Sequence, residues 1–124
     1  MRLTICLILA TMLSCQPEKA TTSGPEQVIL AVITGNSLPV DGCEESVRID
    51  TDNSSTPPIR YKPTPGSLPL LQSALSSIPA EQRYNAEKPV RIRFYKTGRQ
   101  VELECGWGSR PRVDEIEILE ITER

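Results

Sequence analysis

The sequence contains no histidine, the side chain that most often exchanges protons near neutral pH. This absence excludes Ser-His and Cys-His catalytic arrangements and removes a common metal ligand. Aromatic residues are also scarce, with one Trp, one Phe and three Tyr in 124 residues. No apolar run approaches the roughly 20 residues of a membrane-spanning helix. We therefore expect a protein that is not an enzyme and that has neither a metal site nor a cofactor.

Basic residues are slightly outnumbered, with 14 Lys and Arg against 16 Asp and Glu and a net charge of −2 at pH 7. Proteins that bind nucleic acid need a basic surface that contacts the phosphates. The composition therefore predicts no nucleic-acid partner. It also gives no electrostatic attraction to an anionic membrane, so lasting membrane attachment must come from a lipid.

The first fourteen residues predict a secretory signal peptide, because Arg2 precedes an apolar run that is too short to span a bilayer. The next feature, Met12-Leu13-Ser14-Cys15, resembles the lipobox of bacterial lipoproteins. The resemblance implies cleavage before Cys15, a diacylglycerol thioether on its sulfur and an acyl chain such as palmitate on its amine. The alternative is an ordinary signal peptide that is cut near Ala10 or Ser14.

Lipidation would divide the chain into a signal peptide (residues 1–14), a polar and flexible tether (residues 15–27) and a small β domain (residues 28–124). Several acyl chains together anchor a protein durably where one chain is marginal. The predicted location is the cell envelope. Gln16 stands where some inner-membrane lipoproteins carry Asp, which indicates the outer membrane, on its periplasmic or its surface face.

Four cysteines are present, and their expected fates differ. Cys6 leaves with the signal peptide and Cys15 carries the lipid, so Cys43 and Cys105 remain in the exported domain. One such pair most simply forms a disulfide. A pair of metal thiolates is the weaker alternative, because two cysteines without histidine do not complete a zinc site.

The first half of the domain reads as strands followed by one helix. Residues 28–33 form a continuous apolar run, which predicts a strand that is central in the sheet or covered on both faces. Residues 43–49 alternate as a half-buried strand, and the polar turn Asp50–Ser55 lacks the Gly and Glu of a calcium loop. The prolines of residues 57–65 allow at most a short edge strand. Residues 67–75 predict a helix, capped by Ser67, that covers the sheet with three apolar side chains: Leu71, Leu75 and Ile78.

The second half predicts a β-hairpin and a closing strand. Apolar side chains alternate over residues 90–95 and 101–105, on both sides of a predicted turn at Lys96-Thr97-Gly98-Arg99. Residues 113–121 form the last strand, whose alternation changes phase between Ile118 and Leu119 and so predicts a bulge. The expected fold is all-β with minor α: a small, OB-like, partly open barrel or sandwich of five or six strands with one covering helix and one disulfide.

Four motifs together resemble small uncharacterised lipoproteins of Bacteroidota: Asp41-Gly42-Cys43-Glu44, Lys96-Thr97-Gly98-Arg99, Cys105-Gly106-Trp107-Gly108 and Val113-Asp114-Glu115-Ile116-Glu117-Ile118. The resemblance covers most of the domain. It implies a fold and a location, and no activity.

Two kinds of candidate site remain. The carboxylate pairs Glu102 with Glu104 and Glu115 with Glu117 are expected on the solvated face. There they are interpreted as surface charges and not as the catalytic groups of a hydrolase. Trp107 either packs over the disulfide, which we expect for a lone tryptophan, or projects as a binding residue beside Arg110 and Arg112.

The predicted function is a lipid-anchored envelope module, without catalytic activity, that binds a protein or a glycan. The alternative is a structural accessory subunit of an envelope complex. A small carboxylate-dependent hydrolase is a distant third hypothesis.

Overall fold

A computed structural model describes residues 24–50 and 55–124. The predicted signal peptide, the predicted lipidation site Cys15 and most of the predicted tether lie outside these residues. So does most of the polar turn after Asp50, since residues 51–54 are not described. Across the described ranges, no helix is long and apolar enough to cross a membrane.

Five strands form a closed barrel in the order β1-β2-β3-β5-β4. Their bounds are β1 Gln27–Thr34, β2 Ser46–Ile49, β3 Ile59–Pro63, β4 Glu87–Glu102 and β5 Arg112–Glu123. The described residues contain one α-helix, α1 Leu68–Leu75, which lies between β3 and β4 in the chain. They also contain three short 3-10 helical turns, at Leu38–Val40, Ala80–Asn85 and Gly106–Gly108.

The strand pairing confirms the predicted OB-like barrel and closes it. Neighbouring strands are antiparallel except for β3 and β5, which run parallel. β1 pairs with β2 on one side and with β4 on the other, and this pairing closes the barrel. The expected edge strand is therefore wrong: β3 pairs with β2 on one side and β5 on the other. Pro63 is tolerated because it ends β3.

The hairpin predicted within residues 90–105 is also wrong. β4 continues through the predicted turn, and both of its halves pair with β5. Lys96–Arg99 is instead a bulge, where the register shifts between Lys96 and Gln100 and Gly98 adopts a φ of 85°. A glycine with positive φ serves a bulge as well as it serves a turn, so the sequence pattern fits both. The true β4–β5 connection is residues 103–111.

The predicted bulge in the last strand is confirmed. Arg93 pairs with Glu120 while the next residue, Phe94, pairs with Ile118, so Leu119 is an extra residue in β5. The insertion shifts the alternation by one position, which keeps Ile116 and Ile118 in the core on one side of the bulge and Ile121 against it on the other.

Alternate residues of the strands point inward and fill the barrel. The core comprises Ala31, Ile33, Val47, Tyr61, Leu71, Leu75, Val90, Ile92, Phe94, Ile116 and Ile118. Leu71 and Leu75 come from α1, and Ile78 packs partly against them, so the helix covers the barrel as predicted. Ser67 occupies the N-cap position of α1 but makes no side-chain capping bond; its N–H donates to Thr64 Oγ1.

β1 is a central strand, as one of the two alternatives predicted, because it pairs with β2 and with β4, but it is not covered on both faces. Its inward residues Ala31 and Ile33 are buried, but Val28 and Leu30 on the other face remain 60% and 46% exposed. Val28 and Leu30 are therefore exposed apolar residues on the outer face of β1, directly beside Arg93 and Arg91 of β4.

Candidate functional site

A disulfide joins the two loops at one end of the barrel. Cys43 lies in the β1–β2 loop (residues 35–45) and Cys105 lies in the β4–β5 loop (residues 103–111), 62 residues further along the chain. The two cysteines also form an isolated antiparallel β-bridge. The predicted disulfide is thus confirmed, and it fixes two loops that are distant in sequence against each other.

Backbone hydrogen bonds hold the two loops together beside the disulfide. The Gly106 N–H donates to the Gly42 carbonyl at 2.8 Å, and the Glu44 N–H donates to the Glu104 carbonyl at 2.9 Å. In return, the Glu104 N–H donates to the Glu44 carboxylate at 3.0 Å. The β4–β5 loop is therefore fastened along its first half by main-chain contacts.

Trp107 projects from this loop. Its side chain is 91% exposed, so the expectation that the lone tryptophan packs over the disulfide is wrong. Its φ of 60° and ψ of 24° lie in the left-handed region, which costs a non-glycine residue about 1–2 kcal/mol. The turn is closed by a bond from the Cys105 N–H to the Ser109 carbonyl at 2.9 Å. The local backbone therefore presents the indole to solvent at a cost in stability.

Both arginines singled out in the sequence lie near this loop, and both are tied to β4. Arg110 Nη1 approaches the Glu102 carboxylate at 3.9 Å, with both side chains largely exposed. Arg112 begins β5 and donates to the Gln100 carbonyl at 3.2 Å. Both side chains remain exposed, Arg110 on the connection that carries Trp107 and Arg112 at the start of the next strand.

The carboxylate pairs take different positions. Glu102 and Glu104 are exposed, as expected. Glu115 departs from the expectation of a solvated position, because it is only 4% exposed. The β4 bulge covers it: Arg99 Nη2 lies 2.7 Å and Thr97 Oγ1 3.0 Å from Glu115 Oε1. This carboxylate therefore pins the bulge to β5.

Glu117 has a separate structural role. Its carboxylate accepts a hydrogen bond from Thr64 Oγ1, and Thr64 also bonds to Ser67 at the start of α1. Glu115 and Glu117 thus hold different elements and do not act as a pair.

Sequence reasoning missed a second feature, on the outer face of β2 and β3. Arg48 and Arg60 lie directly opposite each other there. Arg48 is neutralised by hydrogen bonds to Glu87 and to Asp50, which raise the pKa of its guanidinium. Within the described residues Arg60 makes no ion pair, and its Nη1 donates to Ser46 Oγ at 3.4 Å. Burial lowers the pKa of Arg60.

Arg60 lines a cavity of about 220 Å³ under the β1–β2 loop. Thr34 and Ser37 contribute hydroxyl groups to its wall, and Asp41 and Glu87 contribute carboxylates. The sequence carries no signal for this cavity, because it depends on how the β1–β2 loop folds over β3.

A wider cleft of about 390 Å³ lies between the β1–β2 loop and α1. Its polar groups already bond to the protein. Gln72 donates to Glu45, while Arg83 donates to the carbonyls of Ser76 and Ile78. This cleft therefore offers weaker binding chemistry than the Arg60 cavity.

Comparisons of the chain with protein-family models, with curated proteins and with solved structures yield no match.

Proposed function

We propose that the protein is a lipid-anchored module of the cell envelope that binds a protein or a glycan through Trp107 and the surrounding loop. The observation that carries the proposal is the 91% exposure of the lone tryptophan. Trp and Arg are enriched at binding hot spots, and Arg110 lies on the same connection while Arg112 begins the strand that follows it. The role is non-catalytic.

The rigidity of the loop supports this proposal. Binding costs free energy when a loop must be ordered, so a loop that is already fixed binds more tightly for the same contacts. Here the Cys43–Cys105 disulfide and the Gly106–Gly42 hydrogen bond fix the loop beforehand. Strained backbone at an exposed aromatic residue also occurs preferentially at binding sites.

The position of the loop in the fold adds an argument by analogy. In OB-fold barrels, the β1–β2 and β4–β5 loops and the face of β2 and β3 bind extended ligands. The disulfide joins those same two loops here. Fold alone does not define function, so this analogy supports a binding role without naming the ligand.

The proposed location rests on the sequence and on one structural feature. The signal peptide and the lipobox cysteine Cys15 support export and lipid anchoring at the outer membrane. The disulfide is consistent with an oxidising compartment, since such bonds are rare in reducing cytosol.

The test is cross-linking in intact cells that carry the full chain, with wild type and Trp107→Ala compared at equal membrane levels. Leu70→Ala is the matched control, because Leu70 is an exposed apolar residue on α1. We expect Trp107→Ala to reduce the cross-linked protein or glycan at least tenfold and Leu70→Ala to leave it unchanged. Equal capture by wild type and Trp107→Ala would refute binding through this loop.

One observation favours the alternative, a structural accessory subunit. The exposed Val28 and Leu30 form an apolar surface on β1 that an assembly partner would cover. In that case Val28→Ser combined with Leu30→Ser would release the protein from its complex, while Trp107→Ala would not.

A further inference from the structure

The cavity beside Arg60 does not have Trp107 in its lining. Its wall combines the Arg60 guanidinium with the side chains of Thr34 and Ser37, and the β1–β2 loop forms part of it. Its volume of about 220 Å³ accommodates a small group rather than a chain segment.

The guanidinium has binding capacity that the described part of the protein does not use. Arginine carries five N–H donors in a planar fork. In Arg60 one donor makes a long bond to Ser46 Oγ, at 3.4 Å, and no carboxylate in the described ranges lies within ion-pair distance. The opposite residue, Arg48, adds repulsion, because like charges directly opposite in a sheet are unfavourable. A bound anion would accept hydrogen bonds from the unused donors of Arg60 and would reduce the repulsion between Arg60 and Arg48.

The neighbouring charges determine which anion fits. Asp50 and Glu87 both contact Arg48 and offset its charge, and neither makes an ion pair with Arg60 in the described ranges. Asp41 and Glu87 also line the cavity, and their carboxylates would repel a second negative charge on a ligand. A singly charged carboxylate therefore fits better than a doubly charged phosphate. Planar carboxylates also match the guanidinium fork with two parallel hydrogen bonds.

The other polar groups of the cavity favour a hydroxylated ligand. The Asp41 carboxylate accepts hydrogen bonds, and no ion pair in the described ranges occupies it. Ser37 Oγ donates to the Gly35 carbonyl and keeps lone pairs that accept from a ligand hydroxyl. We infer that the Arg60 cavity binds a monocarboxylate that carries hydroxyl groups, the chemistry of a sugar acid, with the carboxylate on Arg60 and hydroxyls on Asp41.

This site goes beyond the proposed role of Trp107, although the two share a supporting loop. Asp41 and Gly42 line the cavity, and they also hold Gly106, the residue before Trp107. A glycan with an acidic sugar in the cavity would therefore lie near the tryptophan loop. The carboxylate site itself does not depend on that contact.

The test uses the purified full chain and an NMR titration with sodium glucuronate at constant ionic strength. Acetate, glucose and inorganic phosphate are the comparison probes. We expect glucuronate to shift the Arg60 Nε–H signal and the amide signals of Thr34 and Gly42. Glucuronate should bind more tightly than acetate and phosphate, and glucose should produce no shift. Glucose or phosphate binding as tightly as glucuronate would overturn the inference, and acetate binding as tightly would overturn the role of Asp41.

Variants identify the residue that binds. Arg60→Gln should weaken glucuronate binding by about 10- to 100-fold, since charged hydrogen bonds are lost. Arg91→Gln is the matched control on the outer face of β4 and should bind as wild type does. If Arg60→Gln is unstable, Arg60→Lys keeps the charge without the fork and should still bind several-fold more weakly. Unchanged binding by a folded Arg60 variant would refute the site. Trp107→Ala should leave glucuronate binding intact. The glucuronate titration and the cross-linking experiment therefore test the two proposals separately.

Discussion

Gly106 packs so closely against Asp41 that a Cβ atom on Gly106 would lie 2.6 Å from the Asp41 Cα atom. The contact is between two backbones, so neither side can rotate away. Gly106→Ala should therefore lower the free energy of unfolding by about 1–3 kcal/mol, as overpacking does. Urea denaturation measures the change. Gly66→Ala is the control, because nothing lies within 4 Å of its Cβ position, and it should change stability by less than about 0.5 kcal/mol. Equal effects at the two glycines would contradict the packing described.

The Cys43–Cys105 disulfide should contribute a large part of the stability. It closes a loop with a sequence separation of 62, for which the chain-entropy relation gives about 4 kcal/mol. Replacing both cysteines with alanine should lower the free energy of unfolding by that order, measured with urea. A reducing agent should destabilise the wild type to the same extent and leave the double variant unchanged. An unaltered midpoint on reduction would show that the bond contributes little.

The buried carboxylate of Glu115 should make Arg99 important despite its exposure. Arg99→Ala removes two hydrogen bonds to a carboxylate that is 4% exposed, leaving it poorly paired. We expect a loss of about 1–3 kcal/mol in the free energy of unfolding. Arg110→Ala is the control, because its 3.9 Å contact with Glu102 is at the surface and should contribute less than about 1 kcal/mol. Similar losses for both variants would contradict a special role for Glu115.

The Arg48–Asp50 pair should produce a measurable pH effect. The hydrogen bond from Arg48 lowers the pKa of Asp50 below its ordinary value of 3.8. Because the folded-state pKa is lowered, the stabilisation is present above about pH 3.8 and is lost as the pH falls through the folded-state value. Carboxyl NMR titration should show the pKa of Asp50 rising towards 3.8 in Arg48→Gln. Arg93→Gln, on another strand, should leave it unchanged; a wild-type pKa at or above 3.8 would contradict the pairing.

Because the left-handed backbone at Trp107 costs stability, a suitable substitution there should stabilise the protein while it removes binding. Asparagine tolerates this conformation better than other residues, whereas a β-branched residue tolerates it poorly. Trp107→Asn should therefore be more stable than Trp107→Val by about 1 kcal/mol in thermal or urea unfolding, and at least as stable as wild type. Both variants should lose the cross-linked partner equally. A variant pair of equal stability would indicate that the loop relaxes to another conformation.

The sequence predicts the parts of the fold that depend on local periodicity. The phase change at Ile118 and Leu119 is visible as a break in alternation, and it is a bulge in β5. The apolar face of α1 and the disulfide are predictable for similar reasons, since each follows from residue spacing or residue count. The Lys96–Arg99 bulge is different, because its glycine fits a turn equally well and only pairing with β5 distinguishes the two.

The candidate sites depend on contacts between distant segments, and the sequence does not reveal those contacts. The exposure of Trp107 follows from the fit of Gly106 against Asp41, which lies 65 positions earlier in the chain. The exposed outer face of β1 depends on how much of the barrel one short helix can cover. Arg60 lies beside a second cation only because the β2–β3 register places it opposite Arg48. Tertiary pairing therefore decides each of these features.

In many small proteins, tryptophan fluorescence changes both when the protein unfolds and when a ligand binds. With the indole already 91% exposed in the native state, its fluorescence should change little when the barrel unfolds. Contact with a ligand would bury it, shift the emission to shorter wavelength and protect it from soluble quenchers. The fluorescence of Trp107 should therefore report ligand binding at the loop and should respond only weakly to unfolding.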